Sequence, residues 1–240
     1  MIGLGTLINA ALILLGGFVG FRSSALAERY QFQIKGVLSL LTIWVAARMM
    51  WQGLNGTFGQ VMGQLGTAFL ALILGNLIGK LLRIQKGLDR LGQWAQDKLS
   101  KVGEDKQPWS EGFVTATLLF CVGPMAVLGA IEDGMKGDYR LLAVKGLMDG
   151  LATMGLVAVF GRGVMLAVLP VVAYQGLMTI LGRWLGMELS EPLADAMRVS
   201  GGLIVLMIPV VILGVRKVPL ADYLPSLLIA PLLIWWWQQG

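Results

Sequence analysis

The chain has 240 residues, 56% of them hydrophobic and 14% charged, with a formal net charge of +5 and no histidine. Soluble domains carry about 25% charged residues, so this composition excludes a soluble enzyme and describes an integral-membrane chain whose surroundings are the lipid bilayer. The missing histidine removes the commonest metal ligand and the usual proton shuttle near neutral pH. The one cysteine, Cys121, can form neither an internal disulfide nor a cysteine metal site. No cofactor, metal, catalytic group or nucleic-acid partner is expected.

The apolar runs are continuous rather than alternating, which points to an all-α, polytopic transmembrane helix bundle and away from a β-barrel. About eight spans are expected, near residues 3–21, 36–52, 61–82, 112–131, 141–161, 163–182, 199–215 and 220–237, in a single integral-membrane domain over 1–240. The first, in "MIGLGTLINAALILLGGFVGFR", carries Asn9 and has no basic stretch before its apolar core. It therefore reads as a retained span and not a cleaved signal peptide, despite the "ALA" at 25–27. In the third span, "GNLIG" at 75–79 is a small-xxx-small pair suited to helix packing. The segment 83–110 sets Ile84, Leu88, Leu91, Ala95 and Leu99 three or four apart with charges between them. It reads either as an amphipathic helix on the cytoplasmic leaflet, anchored by Trp94, or as an extension of the third span.

The fourth span, "EGFVTATLLFCVGPMAVLGAIEDG" at 111–134, is interrupted at Gly123 and Pro124. Proline removes a backbone donor and disfavours helical geometry at the residue before it. The step either breaks the helix and frees carbonyl ligands or acts as a packing kink. Thr115, Thr117 and Cys121 add weakly polar groups along the same span. "EDGMKGDYR" at 132–140 is expected as a loop, where Glu132, Asp133 and Asp138 either draw cations to the mouth of a pathway or are solvated loop charges.

The fifth span carries Lys145 and Asp149, four apart and so on one helical face, flanked by Gly146 and Gly150. A charge in hydrocarbon costs at least about 2.5 kcal/mol. Asp149 stands about ten residues, roughly 15 Å, in from Tyr139, too deep to snorkel to either surface. It either holds a permanent ion pair with Lys145 or coordinates an ion or substrate. "GRG" at 161–163 joins this span to the sixth in a tight hairpin, and the sixth carries Gln175. Pro209 interrupts the seventh, and "WWWQQG" at 235–240 ends the eighth with an interfacial tryptophan belt.

Lysine and arginine placement sets the expected orientation. The loops joining spans 1–2, 3–4, 5–6 and 7–8 hold 13 basic residues, from Arg22 to Lys217, against five on the opposite side. The richer side is taken as cytoplasmic, with both termini outside and the chain in a bacterial inner membrane. Spans 1–3 and 6–8 also share a plan. Each set opens with an amide, Asn9 or Gln175, and continues through a Leu-Ala-acid step, "LAERY" at 26–30 or "LADAM" at 193–197. An inverted repeat of this kind, around a central pair of spans, is how many secondary transporters are built.

"EGFVTATLLFCVGPMAVLGAIEDGMKGD", the "KGLMDG" at 145–150, "GTLINAALILLGGFVG" and "LPVVAYQGLMTIL" together resemble the bacterial integral-membrane family known as domain of unknown function 554. The resemblance implies an inner-membrane protein, described for the family as a transport or membrane protein with no agreed substrate. It supplies no mechanism. The expected function is a secondary transporter or exchanger of an ion or small polar solute. Its expected site is Asp149, Lys145, Gly123, Pro124, Thr117, Asn9 and Gln175, with Glu132 and Asp133 at an outer mouth. A passive channel and a non-transporting scaffold remain the alternatives, and a homodimer is the default oligomer.

Overall fold

Lipid offers a peptide group no hydrogen bond, so a spanning chain of this composition must satisfy its backbone within helices. The computed structural model describes residues 2–22, 31–99, 109–121, 124–185 and 190–239, and these are helical with short turns and no strand. In chain order the helices are α1 (Leu4–Arg22), α2 (Gln31–Gly53), α3 (Phe58–Leu82), α4 (Ile84–Leu99), α5 (Trp109–Cys121) and α6 (Pro124–Lys136). Then follow α7 (Arg140–Phe160), a 3₁₀ turn (Gly161–Ala167), α8 (Val168–Leu185), α9 (Glu191–Ile212), a second 3₁₀ turn (Leu220–Tyr223) and α10 (Ser226–Gln239). The "LAERY" and "ALA" motifs and Gly123 lie outside the described residues.

Six stretches are long and apolar enough to cross a membrane, or seven if α5 and α6, bent by 60° from one another, form one broken span. One of the six, Arg140–Trp184, is 45 residues long. As a straight helix it would reach about 68 Å, more than twice the ~30 Å hydrocarbon core. It folds back instead. Gly5, Gly16 and Gly20 of α1 meet Leu142, Gly150 and Met154 in ascending order, so α1 and α7 run parallel. Asn9 meets Gln175 and Gly17 meets Met165, so α8 runs the other way. Counted as two passes, and with α5 and α6 as one broken span, the stretches reach the eight expected.

The structure moves several boundaries. The hairpin between the fifth and sixth spans is a 3₁₀ segment of seven residues rather than "GRG" alone, opened by Gly161 at φ +73°. The expected loop at 132–140 is shorter, because α6 continues to Lys136 and holds Glu132 and Asp133 in its last turns. The seventh span begins at Glu191, not 199, since Ser190 in extended geometry and Pro192 in the first turn start a helix whose polar opening hydropathy overlooks. Arg83, at φ 55°, ends α3 in a left-handed cap, so α4 is a separate amphipathic helix and not an extension of the third span.

The packing divides into two compact units, Met1–Leu38 with Gly87–Cys121 and Met125–Glu188, and Ser39–Lys86 with Val122–Pro124 and Leu189–Gly240. The first contains α1, most of α4, α5, α6 from Met125, α7 and α8; the second contains most of α2, with α3, α9 and α10. In each, repeat partners lie antiparallel, as inversion requires: α1 beside α8 in the first, α2 beside α9 and α3 beside α10 in the second. The outward surface is apolar, with Leu7, Phe18, Trp51, Leu81, Leu151 and Trp184 all exposed, while polar groups such as Asn9, Thr115 and Gln175 are buried. Such a surface belongs in a bilayer.

The "GNLIG" pair does serve as a packing face. A Cβ on Gly75 would stand 2.5 Å from the Ser226 backbone nitrogen, and one on Gly79 would overlap the Asp222 carbonyl. Gly79→Val should therefore destabilise the second unit by at least about 1–3 kcal/mol through overpacking. Gly66→Val, at a position with nothing within 4 Å, should not; thermal unfolding of the two variants in detergent checks the contrast.

Candidate functional site

Glycines decide which helix faces meet in the first unit. A Cβ on Gly146 would stand 2.9 Å from Asn9 Cα, and one on Gly150 2.7 Å from the Leu12 carbonyl oxygen. Gly16 in turn abuts the Gly150 backbone. The two glycines that flank the charged residues of α7 therefore admit α1, backbone to backbone.

Beside that contact Lys145 and Asp149 form an ion pair across one turn, at only 5% and 7% exposure. The ammonium also stands 5.9 Å from the centroid of the Phe120 ring, within range of a cation–π attraction. One turn further, the Thr153 hydroxyl donates to the Asp149 carbonyl at 2.7 Å. The pair is thus held from α7 itself and lidded by α5.

Asn9 and Gln175 are both wholly buried, and the Asn9 amide donates to Gln175 Oε1 at 3.2 Å. These are the two amides at corresponding places in the repeat, and the fold brings them into contact across 166 residues of sequence. The bond leaves Asn9 Oδ1 and Gln175 Nε2 without a protein partner, and the buried Thr117 hydroxyl is likewise unpartnered. A buried polar atom left unsatisfied costs about 1–3 kcal/mol, so their collection in one unit is a costly feature.

The remaining expected residues divide. Pro124 does interrupt the fourth span: α5 ends at Cys121 and α6 begins at Pro124, the first-turn position that tolerates a missing N–H. Asp133 is neither solvated nor in a loop. It is 0% exposed, and one carboxylate oxygen accepts the Gly5 N–H at 2.9 Å, capping the first turn of α1. Glu132, its neighbour on α6, is half-buried. Among the described residues no group of three or more Cys, Asp or Glu side chains converges as a metal site would.

Sequence reasoning missed a polar clasp in the second unit. The Asn55 N–H donates to Gln64 Oε1 at 3.1 Å, Gln64 Nε2 donates to the Asn55 carbonyl at 3.2 Å, and Asn55 Nδ2 donates to Asp195 Oδ2 at 3.1 Å. Arg198 pairs with Asp195 and, at 3.2 Å, with Glu191. Next to it is a cavity of about 230 Å³, polar at Gln64, Thr67 and Asp195 and apolar at Ala68, Val199, Ala230 and Ile234. The signal available in sequence was the acid-to-arginine spacing of 195 and 198 on one helix face.

The chain is similar along nearly its whole length to two curated proteins. The "Uncharacterized membrane protein YdfK" of Bacillus subtilis (strain 168) is 26% identical over 231 residues, covering 96% of this chain and 95% of that one. The "Uncharacterized protein YqgA" of Escherichia coli (strain K12) is 28% identical over 232 residues, covering 95% and 94%. No solved structure matches. Residues 4–235 match the family described as "Protein of unknown function (DUF554)". Apolar passes, a buried charged pair and this match agree: the chain is a membrane protein and belongs to the DUF554 family.

Proposed function

We propose that the chain is a secondary transporter or exchanger of an ion or small polar solute, and not an enzyme, in a bacterial inner membrane. The observation that carries this reading is the Lys145–Asp149 pair, buried beside the Asn9–Gln175 amide pair that joins the two halves of the repeat. Intramembrane acids mark ion and proton pathways, and transporters with inverted repeats bind where the repeats meet. In this reading Asp149 exchanges its partner. With Lys145 it forms the empty state; with a cation or proton it releases Lys145, and the spare amide and hydroxyl groups of Asn9, Gln175 and Thr117 take up the solute. The basic-residue asymmetry supports an orientation with both termini outside.

One observation favours a second reading. The ion pair closes on itself, as a purely structural pair would, and a scaffold needs nothing more. The two readings part in an experiment on proteoliposomes adsorbed to a solid-supported membrane, run through pH, Na⁺, K⁺ and amino-acid concentration jumps. Wild type should give a charge movement that Asp149→Asn abolishes while remaining folded. Silence from wild type, or an unchanged current from the variant, removes the coupling role, and single-channel currents would make the pathway a pore.

The pair also predicts an asymmetry in stability. Lys145→Met leaves a carboxylate buried without its partner and should cost about 3–5 kcal/mol, whereas replacing both members by apolar residues should cost much less. Reversible unfolding of Lys145→Met and of Lys145→Met with Asp149→Leu, in the same detergent, measures the difference.

A further inference from the structure

We propose that Asp133, Thr6 and Thr179 form a binding site for a small, hard monovalent cation at the end of the first unit where α1 begins, separate from the Lys145–Asp149 pair. Asp133 is wholly buried, and its one hydrogen bond, from the Gly5 N–H, uses a single carboxylate oxygen. The other, Oδ1, has no protein partner, and no basic side chain pairs with this residue among the described residues. Lys145 is committed to Asp149, and Lys136, one turn along α6, is exposed.

Two more oxygens share the condition. The Thr6 and Thr179 hydroxyls are 5% and 4% exposed and unpartnered. The backbone sets all three residues where α1, α6 and α8 meet. Thr6 follows Gly5, whose N–H holds Asp133, and the Thr179 carbonyl lies against Gly134 so closely that a Cβ there would overlap it. The oxygens thus come from the first turn of α1, the last turns of α6 and the middle of α8.

Their chemistry selects the ligand. Carboxylate and hydroxyl oxygens are hard donors, which suit alkali cations and not soft metals. One formal charge balances a monovalent ion, whereas tight divalent sites gather several carboxylates. An anion would meet the carboxylate with no cation to offset it. The assignment goes beyond the transport reading, because a cation can bind here whether or not anything crosses the membrane.

The test is binding, read as thermal unfolding of the full chain in detergent with LiCl, NaCl or KCl, each against equal choline chloride. Wild type should gain about 3 °C or more with one of these ions once it is in roughly tenfold excess over its dissociation constant. Asp133→Asn keeps an acceptor for the Gly5 N–H but loses the charge, and should lose the ion-specific rise; Thr179→Val should weaken it. Asp149→Asn should keep it, whatever its effect on transport. Identical midpoints in all four salts, or a rise that survives Asp133→Asn, would overturn the site. A rise lost in Asp149→Asn and kept in Asp133→Asn would do so too, by placing the ion at the deeper carboxylate.

Discussion

The glycine contact between α1 and α7 is the constraint from which the polar interior follows. A side chain at Gly146 or Gly150 would push α1 outward, and Asn9 could then no longer reach Gln175. In lipid there is no hydrophobic force between helices, so close backbone packing is one of the few attractions available. This chain places that attraction next to the buried ion pair of α7. The cost of burying Lys145 and Asp149 is met at the same place where the helices gain most from approaching.

The two units share one construction principle. Each takes corresponding helices from both halves of the chain, α1 and α8 in one, α2, α3, α9 and α10 in the other, while α5 to α7 join only the first. The halves are therefore not the units. Each unit is stitched from both, and Gly75 and Gly79 against the α10 side do for the second unit what Gly16 and Gly150 do for the first.

Much of this was legible in the sequence because it depends on local spacing. The spans show as continuous apolar runs, the ion pair as an i,i+4 step, and Asn9 and Gln175 as matching amides in matching spans, though their contact does not. What was not legible depends on partners far away in sequence. Asp133 sits among glycines and charges that read as a solvated loop, and its partner is a backbone N–H 128 residues distant, which no side-chain pattern announces. The clasp of Asn55, Gln64 and Asp195 escaped for the same reason, since two of its bonds end on backbone groups. The early start of α9 was readable from Ser190 and Pro192, but a hydropathy profile is blind to a helix whose first turn is polar.

The amide pair has one property whichever side chain donates. If Asn9 donates, it keeps a spare oxygen and Gln175 a spare NH₂; if Gln175 donates, the roles swap. Either way the pair is left with one unpartnered acceptor and one unpartnered donor. A bare metal ion can answer only the first, and a halide only the second. A group that both gives and takes a hydrogen bond, such as water or a hydroxyl, answers both. A ligand that satisfied both ends of the pair would therefore bring a water, a hydroxyl or an amide of its own.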